Sequence, residues 1–195
     1  MERQGPQLAN KQEDLLLFLH LNNIGLVALL ETKIKRHKAE SIASNIFRGW
    51  EWVNNCDISN GRIWVAWKPS SYTINILEKT DQLSHCEVIQ LNTCKHFHIT
   101  FVYGHNLALQ RQPLWDALQN IAHSTHGAWC ILGDFNTLLS TDDRIGGNEV
   151  TEQDIRELSN FMETCDVQEM TGSGAHFTWT NKTIWSKIDR VFINS

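Results

Sequence analysis

The chain has 195 residues, enough for one domain over residues 1–195 that buries a substantial core without disulfide bonds. Its 17 lysines and arginines against 22 aspartates and glutamates give a formal net charge of -5, which excludes a global positive field for holding a polyanion. The five cysteines are scattered without a Cys-x-x-Cys pair, which indicates reduced thiols in the cytoplasm or nucleus and argues against zinc.

The first half of the chain alternates helical and extended patterns. Asn10 followed by Glu13 resembles a helix cap, and the leucines after it predict a helix over about residues 11–22. The apolar run 24–30 predicts a buried strand, and residues 38–47 a second helix. Polar residues interrupt the apolar stretch 15–30 and no cleavable leader pattern is recognised, so we expect an intracellular protein with no membrane partner.

The rest of the chain is rich in short strands. Alternating apolar residues predict strands near 51–53, 62–67, 72–77, 86–91 and 96–103, and later at 128–132, 177–181 and 187–194. Helical spacing predicts a helix around Leu114–Ile121 and another over 152–163, with Thr151 as its N-cap. This mixture favours α/β layers around paired sheets and does not fit a strict βαβ alternation.

Four polar clusters each follow or adjoin an apolar strand. They are Glu31-Thr32-Lys33, Tyr103-Gly104-His105-Asn106, Gly133-Asp134-Phe135-Asn136 and Ser186-Lys187-Ile188-Asp189-Arg190. If these strand ends converge on one rim, Glu31, Asp134 and Asp189 form an acidic pocket. Carboxylates with amide and phenol neighbours suit a hard, oxygen-preferring ion, so the sequence predicts Mg²⁺ or Mn²⁺ and no small organic cofactor.

In this order the clusters, with Phe177-Thr178-Trp179-Thr180-Asn181, resemble the endonuclease/exonuclease/phosphatase superfamily. The amino-acid sequences of residues 25–33 and 177–181 are most similar to those of the endonuclease domain of plant LINE-type (non-LTR) retrotransposons. The likeness extends over nearly the whole chain. It implies a four-layered α/β sandwich of two mixed, mainly antiparallel sheets flanked by helices, metal-dependent hydrolysis of phosphodiesters, and DNA as the partner of intact relatives.

The resemblance also implies roles for eight residues. Glu31 would be the metal ligand, Asp134 would orient or deprotonate the attacking water, and Asn136 would contact the phosphate. Tyr103 and Asn106 would hold the scissile phosphate, and Asp189 would orient the family's catalytic histidine. Thr178 and Ser186 match positions near the substrate in the retrotransposon branch.

Two of the family's features have no counterpart here. The asparagine of the first strand is absent, and the chain stops at Ser195 before the Ser-Asp-His strand that supplies the histidine. We therefore expect a sandwich without its first and last strands and an impaired catalytic site, since losing one member of a cooperative set costs orders of magnitude in rate. A non-catalytic remnant that binds nucleic acid weakly is the alternative, and an enzyme for small phosphate esters is a third.

Several residues also have simpler interpretations. Taken alone, Glu31 is typical of a solvated acid. The basic run that follows it, at residues 33–38, is either a DNA contact or a solvated loop. Asp189 beside Arg190 is typical of a surface ion pair. Trp64, Trp115 and Trp129 fit core positions, whereas Trp179 and Trp185 flank the predicted rim and either stack on a base or pack. His96, His98 and His105 are expected to be surface or structural residues.

Overall fold

Short strands build three sheets. The computed structural model describes residues 6–58 and 61–195, so the segment before Pro6, where the first-strand asparagine is missing, lies outside the described residues. The helices are α1 (Pro6–Leu21), α2 (Arg36–Ile46), α3 (Ala108–Ser124) and α4 (Glu152–Cys165). The strands are β1 (Leu26–Leu29), β2 (Glu51–Asn54), β3 (Trp64–Trp67), β4 (Tyr72–Lys79), β5 (Leu83–Gln90), β6 (Lys95–Tyr103), β7 (Trp129–Asp134), β8 (Arg144–Ile145), β9 (Val167–Glu169), β10 (Trp179–Thr180), β11 (Trp185–Ser186) and β12 (Asp189–Asn194).

The largest sheet has six strands in the order β4-β5-β6-β7-β12-β9. Its β6–β7 pair is parallel, and its other pairs are antiparallel. A second sheet has the order β1-β3-β2, and a small third sheet has the order β10-β11-β8. The predicted α/β class, with mixed and antiparallel sheets flanked by helices, is confirmed.

Three apolar clusters separate four layers. One lies between α1, α2 and the three-stranded sheet, around Ile42, Phe47 and Trp64. A second lies between the β1-β3-β2 sheet and the six-stranded sheet and joins their inner faces. The third packs α3 and α4 on the outer face of the six-stranded sheet and contains the rings of Phe135, Phe161 and Phe192. Helices, three-stranded sheet, six-stranded sheet and helices are therefore stacked in the order of a four-layered sandwich.

The ends of the helices follow local chemistry. Helix α1 extends back to Pro6 within the described residues, earlier than the predicted start near residue 11. Thr151 precedes α4 as predicted, and its backbone N–H and its hydroxyl both donate to Asp154 Oδ2, at 2.8 Å and 2.7 Å. The three tryptophans assigned to the core are buried. Among the described helices, none is both long and apolar enough to cross a membrane.

Two of the three histidines expected to be surface or structural residues, His98 and His105, have identifiable partners. His105 Nε2 lies 2.7 Å from Asp81 Oδ2. The ring of His98 stacks on that of the buried His85, with centroids 5.5 Å apart, and His85 Nδ1 lies 2.8 Å from Thr100 Oγ1. Burial, and then the neighbouring His98, lower the pKa of His85 from 6.5 to about 4. The fold therefore requires a neutral imidazole at position 85.

This histidine makes folding stability depend on pH. Between pH 6.5 and about 4 the unfolded chain binds a proton at His85 that the folded chain does not, so the free energy of unfolding falls as the pH falls through this window. The His85 contribution is at most about 3 kcal/mol. We expect His85→Phe to have a shallower pH dependence than the wild type in urea unfolding series. His123→Gln, which changes an exposed histidine on α3, is the control, and equal slopes for all three proteins would contradict the assignment.

Candidate active site

Three neighbouring strands of the large sheet bring their polar ends together. Tyr103 at the end of β6 pairs in parallel register with Asp134 at the end of β7. Asp189 at the start of β12 pairs with the same Asp134 from the other side. Because β12 runs antiparallel to β7, the beginning of one strand lies beside the end of the other. Sheet register therefore places two of the predicted carboxylates directly opposite each other.

Two glycines allow the chain to come this close. Gly133 has a φ of +143°, and a Cβ there would lie 2.0 Å from the carbonyl oxygen of Val102 on the neighbouring strand. A Cβ at Gly104 would lie 2.7 Å from the carbonyl oxygen of Phe135. Gly104 N–H also donates to the Asp134 carbonyl at 2.7 Å. The glycines of the Tyr-Gly and Gly-Asp segments are thus required by backbone packing at the site.

A cavity of about 350 Å³ opens at these strand ends. It is lined by Glu31, Tyr103, Asn106, Asp134, Asn136, Arg144, Trp179, Ser186 and Ile188. Six of the eight residues singled out from the sequence are among them. The other two, Thr178 and Asp189, line an adjoining cavity of about 470 Å³.

Asp134 is the most strongly perturbed acid of the site. Burial, with smaller contributions from the negative charges of Asp189 and Glu31, raises its pKa from 3.8 to about 7. A hydrogen bond from the Asn136 backbone N–H to Asp134 Oδ1, at 2.9 Å, opposes the rise. The three predicted acids therefore lie close enough to interact. Near neutral pH the Asp134 carboxyl exchanges its proton readily, as a general base must.

Glu31 lies outside β1 in an unusual conformation. Its φ is +54°, in the left-handed region that residues other than glycine rarely adopt. Its exposed carboxylate accepts from Lys33 Nζ at 2.7 Å. The pKa of Tyr103 is raised by burial and by the charge of Glu31, with a hydrogen bond from Arg62 acting in the opposite direction. The negative potential of Glu31 thus extends to the phenol across the cavity.

The amide side chains of Asn136 and Asn106 extend from backbone that hydrogen bonds hold in place. Asn136 also has a left-handed backbone, with φ +50°, and its Nδ2 donates to the Gly104 carbonyl at 2.8 Å. That bond links the loop after β7 to the loop after β6. The backbone carbonyl of Asn106 accepts from Arg111 Nη1 at 3.0 Å, which fixes the chain at this residue. Both amides reach the cavity from anchored backbone.

Thr178 and Asp189 occupy the adjoining cavity together. The Thr178 hydroxyl oxygen accepts from the backbone N–H groups of Ile188 and Asp189, each at 3.1 Å. This arrangement fixes the start of β12. A substrate contact by Thr178 and a histidine partner for Asp189 remain predictions from the sequence resemblance.

One residue of the cavity was missed from the sequence. Arg144 lines the site, and its Nε donates to the buried Ser186 hydroxyl at 3.2 Å. It also lines a larger cleft of about 670 Å³ between α3 and α4, which shares Asn106 and Asn136 with the site. Residues 141–145 show no apolar periodicity, and the only sequence signal was the acidic pair Asp142-Asp143 before the arginine.

The donor set fits a hard divalent cation. Glu31 and Asp134 both supply carboxylate oxygens to the cavity. Mg²⁺ is commonly bound by one or two carboxylates together with substrate phosphates and water. Within residues 6–58 and 61–195 no group of three or more His, Cys, Asp or Glu side chains is arranged to hold a metal. The arrangement suits an ion shared between protein and substrate.

Comparison with known proteins agrees with this architecture. Among solved structures, the endonuclease domain of TRAS1, a telomere-specific non-LTR retrotransposon, matches with a TM-score of 0.70 at 10% identity, over 94% of this chain and 79% of that one. Humanized D. rerio TDP2 matches with a TM-score of 0.69 at 13% identity, over 98% and 79%. The human Nocturnin catalytic domain, with bound sulfate, matches with a TM-score of 0.60 at 12% identity, over 95% and 75%.

These likenesses concern the fold. No curated protein sequence matches the chain. The model of the endonuclease/exonuclease/phosphatase family matches residues 4–195. With the sandwich, the paired strand ends and this match together, the chain belongs to the endonuclease/exonuclease/phosphatase family.

Proposed function

We propose that this chain is a divalent-metal-dependent phosphodiesterase that nicks DNA, as the endonuclease domain of a plant LINE-type retrotransposon polyprotein. The observation that carries the proposal is the cavity in which Glu31 and Asp134 meet Tyr103, Asn106 and Asn136. Family members generally depend on divalent metals, and the TRAS1 domain is one of the structures with this fold. The sequence resemblance to plant elements supports the retrotransposon origin.

In the proposed mechanism each side chain has one task. A bound Mg²⁺ or Mn²⁺ would neutralise charge on the phosphate and its leaving oxygen. Glu31 would hold the ion, and Asp134 takes the proton of the attacking water. The phenol of Tyr103 and the amides of Asn106 and Asn136 donate hydrogen bonds to the phosphate oxygens as charge develops. Asp189, paired with Asp134 on the neighbouring strand, adds to the rise in the pKa of Asp134 that burial mainly causes.

A non-catalytic remnant is the second candidate function. The observation that favours it is the absence of a histidine among the described residues that line the cavity. If the chain is a nuclease, we expect it to cleave slowly, because no positively charged imidazole lies beside the phosphate. Incubation of supercoiled plasmid with the protein and Mg²⁺ separates the two: the nuclease produces nicked circles that EDTA prevents, whereas a remnant leaves the plasmid intact.

Replacing the metal-binding carboxylate tests the assignment of Glu31. We expect Glu31→Gln to raise the Mg²⁺ concentration needed for half-maximal nicking by about 10-fold or more, because the amide is a weaker ligand for a hard cation. Calorimetric titration with Mg²⁺ measures the same loss without DNA. Glu40→Gln, on the exposed face of α2, is the matched control. An unchanged Mg²⁺ requirement in Glu31→Gln would remove Glu31 from the site.

A further inference from the structure

A buried glutamine lies in the turn between β4 and β5, behind the loop that supplies two residues of the site. Gln82 is 2% exposed, and it is not among the described residues that line the cavity of Glu31 and Asp134. Burying a carboxamide is unfavourable unless both its donor and its acceptor are paired. The proposed mechanism gives Gln82 no task, so its burial requires another explanation.

Both ends of the Gln82 carboxamide bind the backbone of the loop between β6 and α3. Its Oε1 accepts from the His105 N–H at 2.8 Å, and its Nε2 donates to the carbonyl of Gln110 at 2.9 Å. The backbone carbonyl of Gln82 also accepts from the Tyr103 N–H at 2.8 Å. One residue thus holds this loop from the end of β6 to the first turn of α3.

The turn that carries Gln82 is itself fixed. The hydroxyl oxygen of Thr80 accepts from the N–H groups of Gln82 and Leu83, each at 3.1 Å. The neighbouring Asp81 contacts the same loop, because its Oδ2 lies 2.7 Å from His105 Nε2. Gln82 therefore reaches the loop from backbone that is already ordered.

Asn106 follows His105 and takes its position from this backbone. Its carboxamide lines the cavity, and within residues 6–58 and 61–195 that side chain makes no hydrogen bond of its own. The carbonyls of His105 and Asn106 accept from Arg111 Nη1, at 2.8 Å and 3.0 Å. Tyr103 depends less on the Gln82 side chain, because its N–H donates to a backbone carbonyl that any residue provides.

We propose that Gln82 is a positioning residue, whose side chain sets the place from which Asn106 presents its amide to the scissile phosphate. The inference rests on the proposed function, in which Asn106 donates to that phosphate. A displacement of about 1 Å at a reacting site can cost about 100-fold in rate. Gln82 therefore acts on kcat and leaves the metal requirement unchanged, because Glu31 belongs to a separate segment after β1.

The test removes both side-chain hydrogen bonds of Gln82 at similar length and volume. We expect Gln82→Met to lower kcat for nicking of supercoiled plasmid by about 10-fold or more, with the Mg²⁺ concentration for half-maximal nicking unchanged. Thr100→Val, which removes a buried hydroxyl that accepts from Trp129 Nε1 in the interior of the fold, is the control for lost stability and should keep the wild-type kcat. A wild-type kcat in Gln82→Met, or an equal fall in Thr100→Val, would overturn the proposal.

A double-mutant cycle separates positioning from a general loss of structure. If Gln82 acts through Asn106, Gln82→Met should change kcat by no more than about 2-fold in a protein that already carries Asn106→Ala. If Gln82 only stabilises the fold, the two losses multiply, which would contradict a positioning role. Should Gln82→Met fail to fold, Gln82→Glu takes its place in the cycle, because it keeps an acceptor for the His105 N–H.

Amide hydrogen exchange keeps this test separate from that of the proposed function. If the wild type does not nick plasmid, the proposed function fails, and the backbone amide of His105 still reports on the contact with Gln82. We expect this amide to exchange about 10-fold faster or more in Gln82→Met than in the wild type, and Thr100→Val to leave it protected. Equal exchange rates in the wild type and Gln82→Met would overturn the role of Gln82.

Discussion

Removing the carboxylate of Asp134 is expected to abolish nicking of supercoiled plasmid in the presence of Mg²⁺. A positioned general base contributes about 10²–10⁴-fold to rate, and Asp134 is the carboxylate whose environment holds its pKa near neutrality. Asp134→Asn is the sharper variant, because an amide oxygen can still accept the hydrogen bond from Asn136 N–H. The fold should therefore remain while the base is lost.

The controls for this experiment are a second carboxylate and a stability measurement. Asp116→Asn, on the exposed face of α3, should nick as the wild type does. Urea unfolding of Asp134→Asn should show a folded protein. Nicking by Asp134→Asn at the wild-type rate would mean that this carboxylate takes no part in the reaction.

Replacing Arg190 is expected to lower the free energy of unfolding more than any other substitution named in the Results or Discussion. Its side chain is 1% exposed and donates to Asp143 and, at 2.8 Å, to Glu169 Oε1. Asp143 also accepts from the backbone N–H groups of Leu139 and Ser140 at 2.7 Å and 2.8 Å. Without Arg190, Asp143 is a buried charge without its counter-charge. We expect Arg190→Met to lower the free energy of unfolding by about 3–5 kcal/mol.

Urea unfolding followed by tryptophan fluorescence measures this loss. Arg156→Ala, which removes an exposed arginine from α4, should change the free energy by no more than about 0.5 kcal/mol. The double variant Asp143→Leu with Arg190→Met should regain part of the loss, because it removes the isolated charge as well. A cost for Arg190→Met no greater than that of Arg156→Ala would show that the pair is not needed for stability.

The sequence predicts the position of the site better than the contacts of its residues. Glu31 and Asp134 could be assigned to one rim because each follows an apolar run that had to be a strand. One interpretation of the sequence is a surface ion pair between Asp189 and Arg190. The structure instead exposes Asp189 and buries Arg190 against Asp143, since consecutive residues of β12 face opposite sides of the sheet. The residue opposite a strand position depends on register, which sequence spacing does not contain.

The small sheet was the other element that sequence reasoning missed. Its strands have two residues each, too few for any alternation to be recognised. The strand predicted over 177–181 is confirmed only at Trp179 and Thr180. Arg144 was missed for the same reason, because its place in the cavity depends on the pairing of β8 with β11. Short strands of this kind are fixed by tertiary contacts rather than by intrinsic preference.

The pairing of β7 with β12 also governs when the site can exist. Residues 31, 103, 134 and 189 are contributed by four separate regions of the chain, which strand pairing brings together. Contacts between such distant residues form slowly, because loop closure must precede them. The carboxylates of Asp134 and Asp189 can therefore meet only after β12 has left the ribosome and paired with β7, so a nascent chain without β12 has no assembled site.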